Sequence, residues 1–126
     1  MILFDTSVCI HLRDGDPAVL AKAAQWRSAS ISTVTRVELA AGLLHPVHGP
    51  VRALRNEALL TEIVTLELGA READVYSAII AATGFSRRKL LDRLIAATAL
   101  VHGLPLATMN PVDFADVPGL EVLDWG

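Results

Sequence analysis

The apolar positions of this chain fall into two alternating rhythms. Residues 2–5 (ILFD), 30–32 (SIS), 63–66 and 104–108 read as short strands, and 121–123 as an edge strand. Between them the apolar residues recur at helical spacing. Asp16-Pro17, a cap followed by a first-turn proline, opens a helix to about Trp26. Thr33 or Thr35 caps the next helix, which runs through Glu38 to about Leu44 and stops near Pro46. Gly49-Pro50 starts another to about Thr61, and two more follow at 71–83 and 90–102, the last ended by Gly103. Asp113-Phe114 sits in a short turn or single helical turn. Strands spaced by helices predict a mainly parallel sheet covered on both faces, a three-layer α/β/α sandwich. No repeat, low-complexity tract or linker divides residues 1–126, so a single domain is expected.

Two carboxylates interrupt this pattern. Asp92 lies in the first turn of the 90–102 helix, yet its same-face neighbours are Ile95, Ala96 and Ala99. Glu38 has Val34, Ala41, Gly42 and His45 around it in the same way. Asp5 closes the first strand, and Thr108 closes the fourth, with Asn110 and Asp113 just beyond. Separate pieces of chain thus send carboxylates or amides toward the carboxyl ends of the strands, where such sheets collect ligands. Each acid also has a simpler reading. Asp5 can cap the following helix, Asp92 can complement the helix terminus or pair with Arg88, and Glu38 can be a partly exposed helix residue. Taken together, three acids at one sheet end repel one another unless a cation sits among them. A hard divalent ion such as Mg²⁺, which keeps several waters and prefers oxygen, fits that need.

Composition narrows the picture. Apolar residues make up 52% of the chain and mean hydropathy is +0.45, as a doubly covered sheet requires. Cys9 is the only cysteine, so no disulfide framework exists; it reads as a small core residue, and a reducing cytoplasm is expected. Met1 leads straight into Ile2-Leu3-Phe4 with no basic leader, and the run from Leu94 to Val101 is too short to cross a bilayer. Net charge is −3, which gives no global support for nucleic-acid binding. Locally, Arg87-Arg88-Lys89 and Arg93 form a basic cluster around Asp92, either a solvated face or a contact for a phosphate backbone. There is no phosphate-binding G-x-x-x-x-G-K-[ST] and no dinucleotide G-x-G-x-x-G. His45 and His48 lack the third ligand that zinc needs. Trp26 and Trp125 read as packing residues.

FDTSV at 4–8, TRVELAAGL at 35–43, LLDRLIAATALVHGLPLATMN at 90–110 and PVDF at 111–114 resemble, in order and spacing, a PIN-domain endoribonuclease of the VapC toxin type. The similarity spans nearly the whole chain. It implies a metal-dependent endoribonuclease using Mg²⁺, with Mn²⁺ as substitute. It also implies a cytoplasmic homodimer that acts on RNA and is silenced by a VapB-type antitoxin. Position by position, Asp5, Glu38 and Asp92 are the three acids that match; the expectation drawn from them is that Asp5 and Asp92 hold the metal, directly or through water, and Glu38 orients or deprotonates the attacking water. Asn110 stands where the family often has a fourth acid, and there it would position a ligand water. Asp113 is close enough to substitute. Thr6 or Ser7 would support the site, and Arg87 and Arg88 would meet the RNA backbone. The products implied are a 5′-phosphate and a 3′-hydroxyl. A catalytically silent PIN-like binding module is the second reading, motivated by Asn110. A phosphatase with Asp5 as nucleophile is the third, weakened by Ser7 standing where a second aspartate is common.

Overall fold

The computed structural model describes all 126 residues. Ile2–Phe4 (β1), Ala29–Ser32 (β2), Val64–Leu66 (β3), Leu106–Thr108 (β4) and Val122–Asp124 (β5) form one sheet in the order β3-β2-β1-β4-β5. Every pairing is parallel. The expected α/β/α sandwich is therefore present. The chain moves outward from β1 through β2 to β3, then returns to the other side of β1 for β4. The reversal places a crevice between the carboxyl ends of β1 and β4, the topological switch at which open parallel sheets bind ligands.

Side chains alternate across each strand, and this alternation divides the core in two. Ile2 and Phe4 face a cluster with Val8, Cys9, Val19, Ile31 and Trp125; Phe4 and Trp125 hold their ring centroids 5.4 Å apart. Leu3 and Leu106 face the opposite cluster with Ile79, Ile95, Ala96 and Phe114. Helices Thr6–Arg13 (α1), Pro17–Ala23 (α2) and Gly49–Glu62 (α4) cover the first face. Ala70–Thr83 (α5) and Leu90–His102 (α6) cover the second. Helix Thr33–Ala41 (α3) touches both α1 and α6 and sends Leu39 to one cluster and Val34 to the other. Both sheet faces are dry, which accounts for the high hydropathy.

Several boundaries differ from the sequence expectations, each for a local reason. Helix α1 was foreshadowed only by the reading of Asp5 as a cap and was given no bounds, because Thr6, Ser7, Val8, Cys9 and Ile10 are all poor helix formers. What forms it is tertiary: Val8 and Cys9 bury completely, and Asp5 caps the first turn by accepting from the Val8 N–H at 2.9 Å. The cap of α3 is Ser32, whose hydroxyl accepts from the Val34 N–H at 3.1 Å, rather than Thr33 or Thr35. Strand β4 begins at Leu106, two residues later than expected, because the chain first leaves α6 through Gly103 in the left-handed conformation (φ +63°).

Candidate active site

The acids meet at the β1–β4 crevice. Asp5 is buried, and each of its oxygens is already engaged. Oδ1 accepts from the Ser7 hydroxyl at 2.6 Å and from the Val8 N–H; Oδ2 accepts from the Thr108 hydroxyl at 2.5 Å. Both hydroxyls are fixed in turn by the segment after β4. Ser7 Oγ accepts from the Met109 N–H and Thr108 Oγ1 from the Asn110 N–H, each at 3.0 Å. Burial pushes the Asp5 carboxyl up, against the opposing pull of the Ser7, Thr108 and Val8 donors.

Glu38 comes from one and a half turns into α3 and is half-buried. Its Oε1 accepts from the Thr6 hydroxyl at 2.6 Å, and Thr6 Oγ1 lies 3.1 Å from the fully buried Thr35 Oγ1. Asp92 enters from the first turn of α6. Its pKa is pushed up to about 6, first by burial, then by the negative charges of Asp113, Glu38 and Asp5; Lys89 pulls the other way. Three carboxylates from three other chain segments therefore act on Asp92, which makes no hydrogen bond or ion pair and is left poorly compensated.

This donor set can be tested against a metal ion. All of the acids offer hard oxygen, the choice of Mg²⁺ and Mn²⁺, and their mutual repulsion is what a divalent charge relieves. No three His, Cys, Asp or Glu side chains stand close enough to grip one ion directly. The arrangement therefore fits an ion that retains most of its waters, which is how Mg²⁺ is commonly held. It does not fit a dry cage.

The remaining expected residues distribute unevenly. Asn110 is exposed and engages only through its backbone, whose carbonyl accepts from the Asp113 N–H at 3.1 Å. Asp113, in the single helical turn Pro111–Phe114, is the charge that acts most strongly on Asp92. Arg87 and Arg88 are exposed and form no ion pair. The basic cluster itself splits. Arg93 is only 3% exposed, donates to the Gly84 carbonyl at 2.6 Å and to Asp116 at 3.1 Å, and leaves its buried Nε without a partner. Lys89 lies 3.5 Å from the same Asp116 carboxylate. Asp92 pairs with none of these cations, so its ion pair with Arg88 does not form.

Sequence reasoning left out Thr108 and Thr35 as supports of the acids. Thr108 carried a usable signal, a hydroxyl ending the strand next to β1. Thr35 carried none, since its partner Thr6 lies 29 residues away. Cys9 is fully buried and its thiol is pushed up by burial and by Asp5, as a core residue rather than a nucleophile.

Comparison with known proteins agrees with this geometry. The family described as PIN domain matches residues 2–120. Ribonuclease VapC1 of Rickettsia felis is 32% identical over 132 residues, covering 97% of this chain and 94% of the relative. Among solved structures, a toxin–antitoxin complex from Klebsiella pneumoniae superposes with a TM-score of 0.81 at 27% identity, covering 100% of this chain and 98% of that one. The DNA-bound VapBC complex of Salmonella typhimurium gives a TM-score of 0.85 at 23% identity over the full length of both chains. The match across nearly all of the sequence, on a sheet whose switch point gathers Asp5, Glu38, Asp92 and Asp113, places this chain in the PIN-domain family, among the VapC ribonucleases.

Proposed function

We propose that the chain is a Mg²⁺-dependent endoribonuclease toxin, with Mn²⁺ as substitute, held silent by a VapB-type antitoxin and working as a homodimer. The single observation that carries the catalytic reading is the placing of Asp92, without a hydrogen bond or ion pair of its own, beside the carboxylates of Asp5, Glu38 and Asp113 at the β1–β4 crevice. Asp5 and Asp92 are the residues that would hold the ion, with Asp113 as a third negative charge. When bound, the ion would neutralise a phosphoryl oxygen and lower the pKa of water. Glu38, aimed by Thr6, accepts the proton of the attacking water. Ser7 and Thr108 keep Asp5 in one orientation. Arg87 and Arg88 meet the RNA backbone and offset the negative mouth. In-line attack on the phosphodiester leaves a 5′-phosphate and a 3′-hydroxyl. The reading of a silent binding module rests on Asn110, and the half-buried Asp113 three residues on, whose charge acts on Asp92, supplies the carboxylate that Asn110 lacks.

Purified protein should cleave RNA in Mg²⁺ and stop when EDTA is added. Within that activity, Asp113→Asn should raise the Mg²⁺ concentration for half-maximal rate about ten-fold, as loss of a supporting group at a metal commonly does. Asn110→Ala should change it by less than about two-fold, because its backbone bonds survive the substitution. The reverse order, with Asn110→Ala the more damaging, would remove Asp113 from the site.

A further inference from the structure

Of the chain's six aromatic residues, five are buried or half-buried. Phe85 is the exception: it is 72% exposed. A phenylalanine left in water forgoes about 1.5–3 kcal/mol of burial, so its surroundings merit inspection. It stands in the connection between α5 and α6, and that connection is tied down on both sides of the ring. The Gly84 carbonyl is held by the buried Arg93, which is pinned to Asp116, and the Ser86 hydroxyl accepts from the Lys89 N–H at 3.4 Å. The ring is thus presented by a fastened loop. The same loop carries the unpaired Arg87 and Arg88 and leads directly into Asp92.

The mouth beside this loop is acidic, with Asp5, Glu38, Asp92 and Asp113, and the chain as a whole carries −3. Phosphate contacts alone must work against that field. An exposed ring adds attraction that does not depend on charge, since every base offers a π-face, and single-stranded sites combine such rings with neighbouring cations. We propose that Phe85 is a stacking platform for an unpaired RNA base flanking the scissile phosphodiester, with Arg87 and Arg88 on the adjoining phosphates. This deepens the ribonuclease reading and rests on it. Phe85 is a positioning residue and touches no reacting atom.

The test uses the full chain in Mg²⁺ with RNA, and its readouts separate stacking from charge and from assembly. Phe85→Ala should raise KM for cleavage about ten-fold while kcat stays within about two-fold, in line with the loss of one stacked base. Phe85→Leu, which keeps the apolar bulk without the π-face, should show the same loss, and Phe85→Tyr should restore wild-type KM. In an Asp92→Asn background, the fluorescence added by Phe85→Trp should be quenched by poly(U) and unaffected by inorganic polyphosphate at equal charge. Equal KM for wild type, Phe85→Ala and Phe85→Leu, or equal quenching by both polyanions, overturns the proposal. So does a Phe85→Ala protein whose only change is a shift in sedimentation toward the monomer, which would assign the ring to a second copy of the chain. Wild-type protein that cuts no RNA sinks the ribonuclease reading itself, and the fluorescence comparison still decides the role of Phe85.

Discussion

Asp92→Asn is expected to do two opposite things: abolish cleavage and make the metal-free protein more stable at neutral pH. If Asp92 holds the ion as proposed, removing its charge takes away several kcal/mol of transition-state stabilisation, so the rate should fall about a thousand-fold or more. Stability moves the other way because the folded chain raises the pKa of Asp92 to about 6 from an ordinary 3.8. The folded state then binds a proton more tightly than the unfolded one, so its contribution is fully present below about pH 4 and lost as pH rises through about 6. At pH 7.5 the wild type carries the full repulsion. One pKa unit corresponds to about 1.4 kcal/mol, and solvent screening at this half-buried site reduces the whole effect to about 1 kcal/mol. Thermal melts in EDTA at pH 4.5 and 7.5 should therefore show the variant gaining on the wild type only at the higher pH. Added Mg²⁺ should raise the wild-type Tm at pH 7.5 and leave that of the variant nearly unmoved. A variant that melts lower than wild type at pH 7.5 without metal would show that Asp92 is structurally compensated and not poised for a cation.

Thr108→Val should be the most damaging change at a residue that touches no substrate. Its hydroxyl is fully buried between two partners, donating to Asp5 and accepting from the Asn110 N–H. Valine keeps the shape and removes both bonds where no water can replace them, at a stability cost of about 1–3 kcal/mol. Asp5 would lose a donor that favours its charged form and the tether that aims it. Activity should drop about 10–100-fold, the usual range for a group that orients a metal-binding carboxylate. Most of the loss should appear as a higher Mg²⁺ requirement. Thr108→Ser restores the hydroxyl and should recover both activity and metal response. Serine failing to rescue would mean that the methyl packing matters and the hydrogen bonds do not.

Much of this architecture was legible in the order of residues. Strand and helix alternate with clear turn signals, and two carboxylates on apolar helix faces are hard to reconcile with a plain core, so the sheet and three of its acids could be read directly. What escaped depended on distance in space. Helix α1 is built from β-branched and small residues whose local preference opposes a helix; burial of Val8 and Cys9 and the Asp5 cap override it. Arg93 looked like one more surface cation beside Arg87 and Arg88. Its role as a buried fastener is set by Asp116, 23 positions away. Asn110 held the expected place in the motif and Asp113 was named only as a substitute; the short helical turn at 111–114 that brings Asp113 to bear on Asp92 is what spacing along a strand does not reveal.

The paired hydroxyl ties on Asp5 have a temporal consequence. Asp5 is made 103 residues before the Thr108 that aims it, and β4 has its seat beside β1 only after α6 has been built. Such distant closure comes late in folding. A growing chain can thus hold Asp5, Glu38 and Asp92 without a competent centre. The order of the three acids in the chain therefore does not set when the site forms; the pairing of β4 with β1 does.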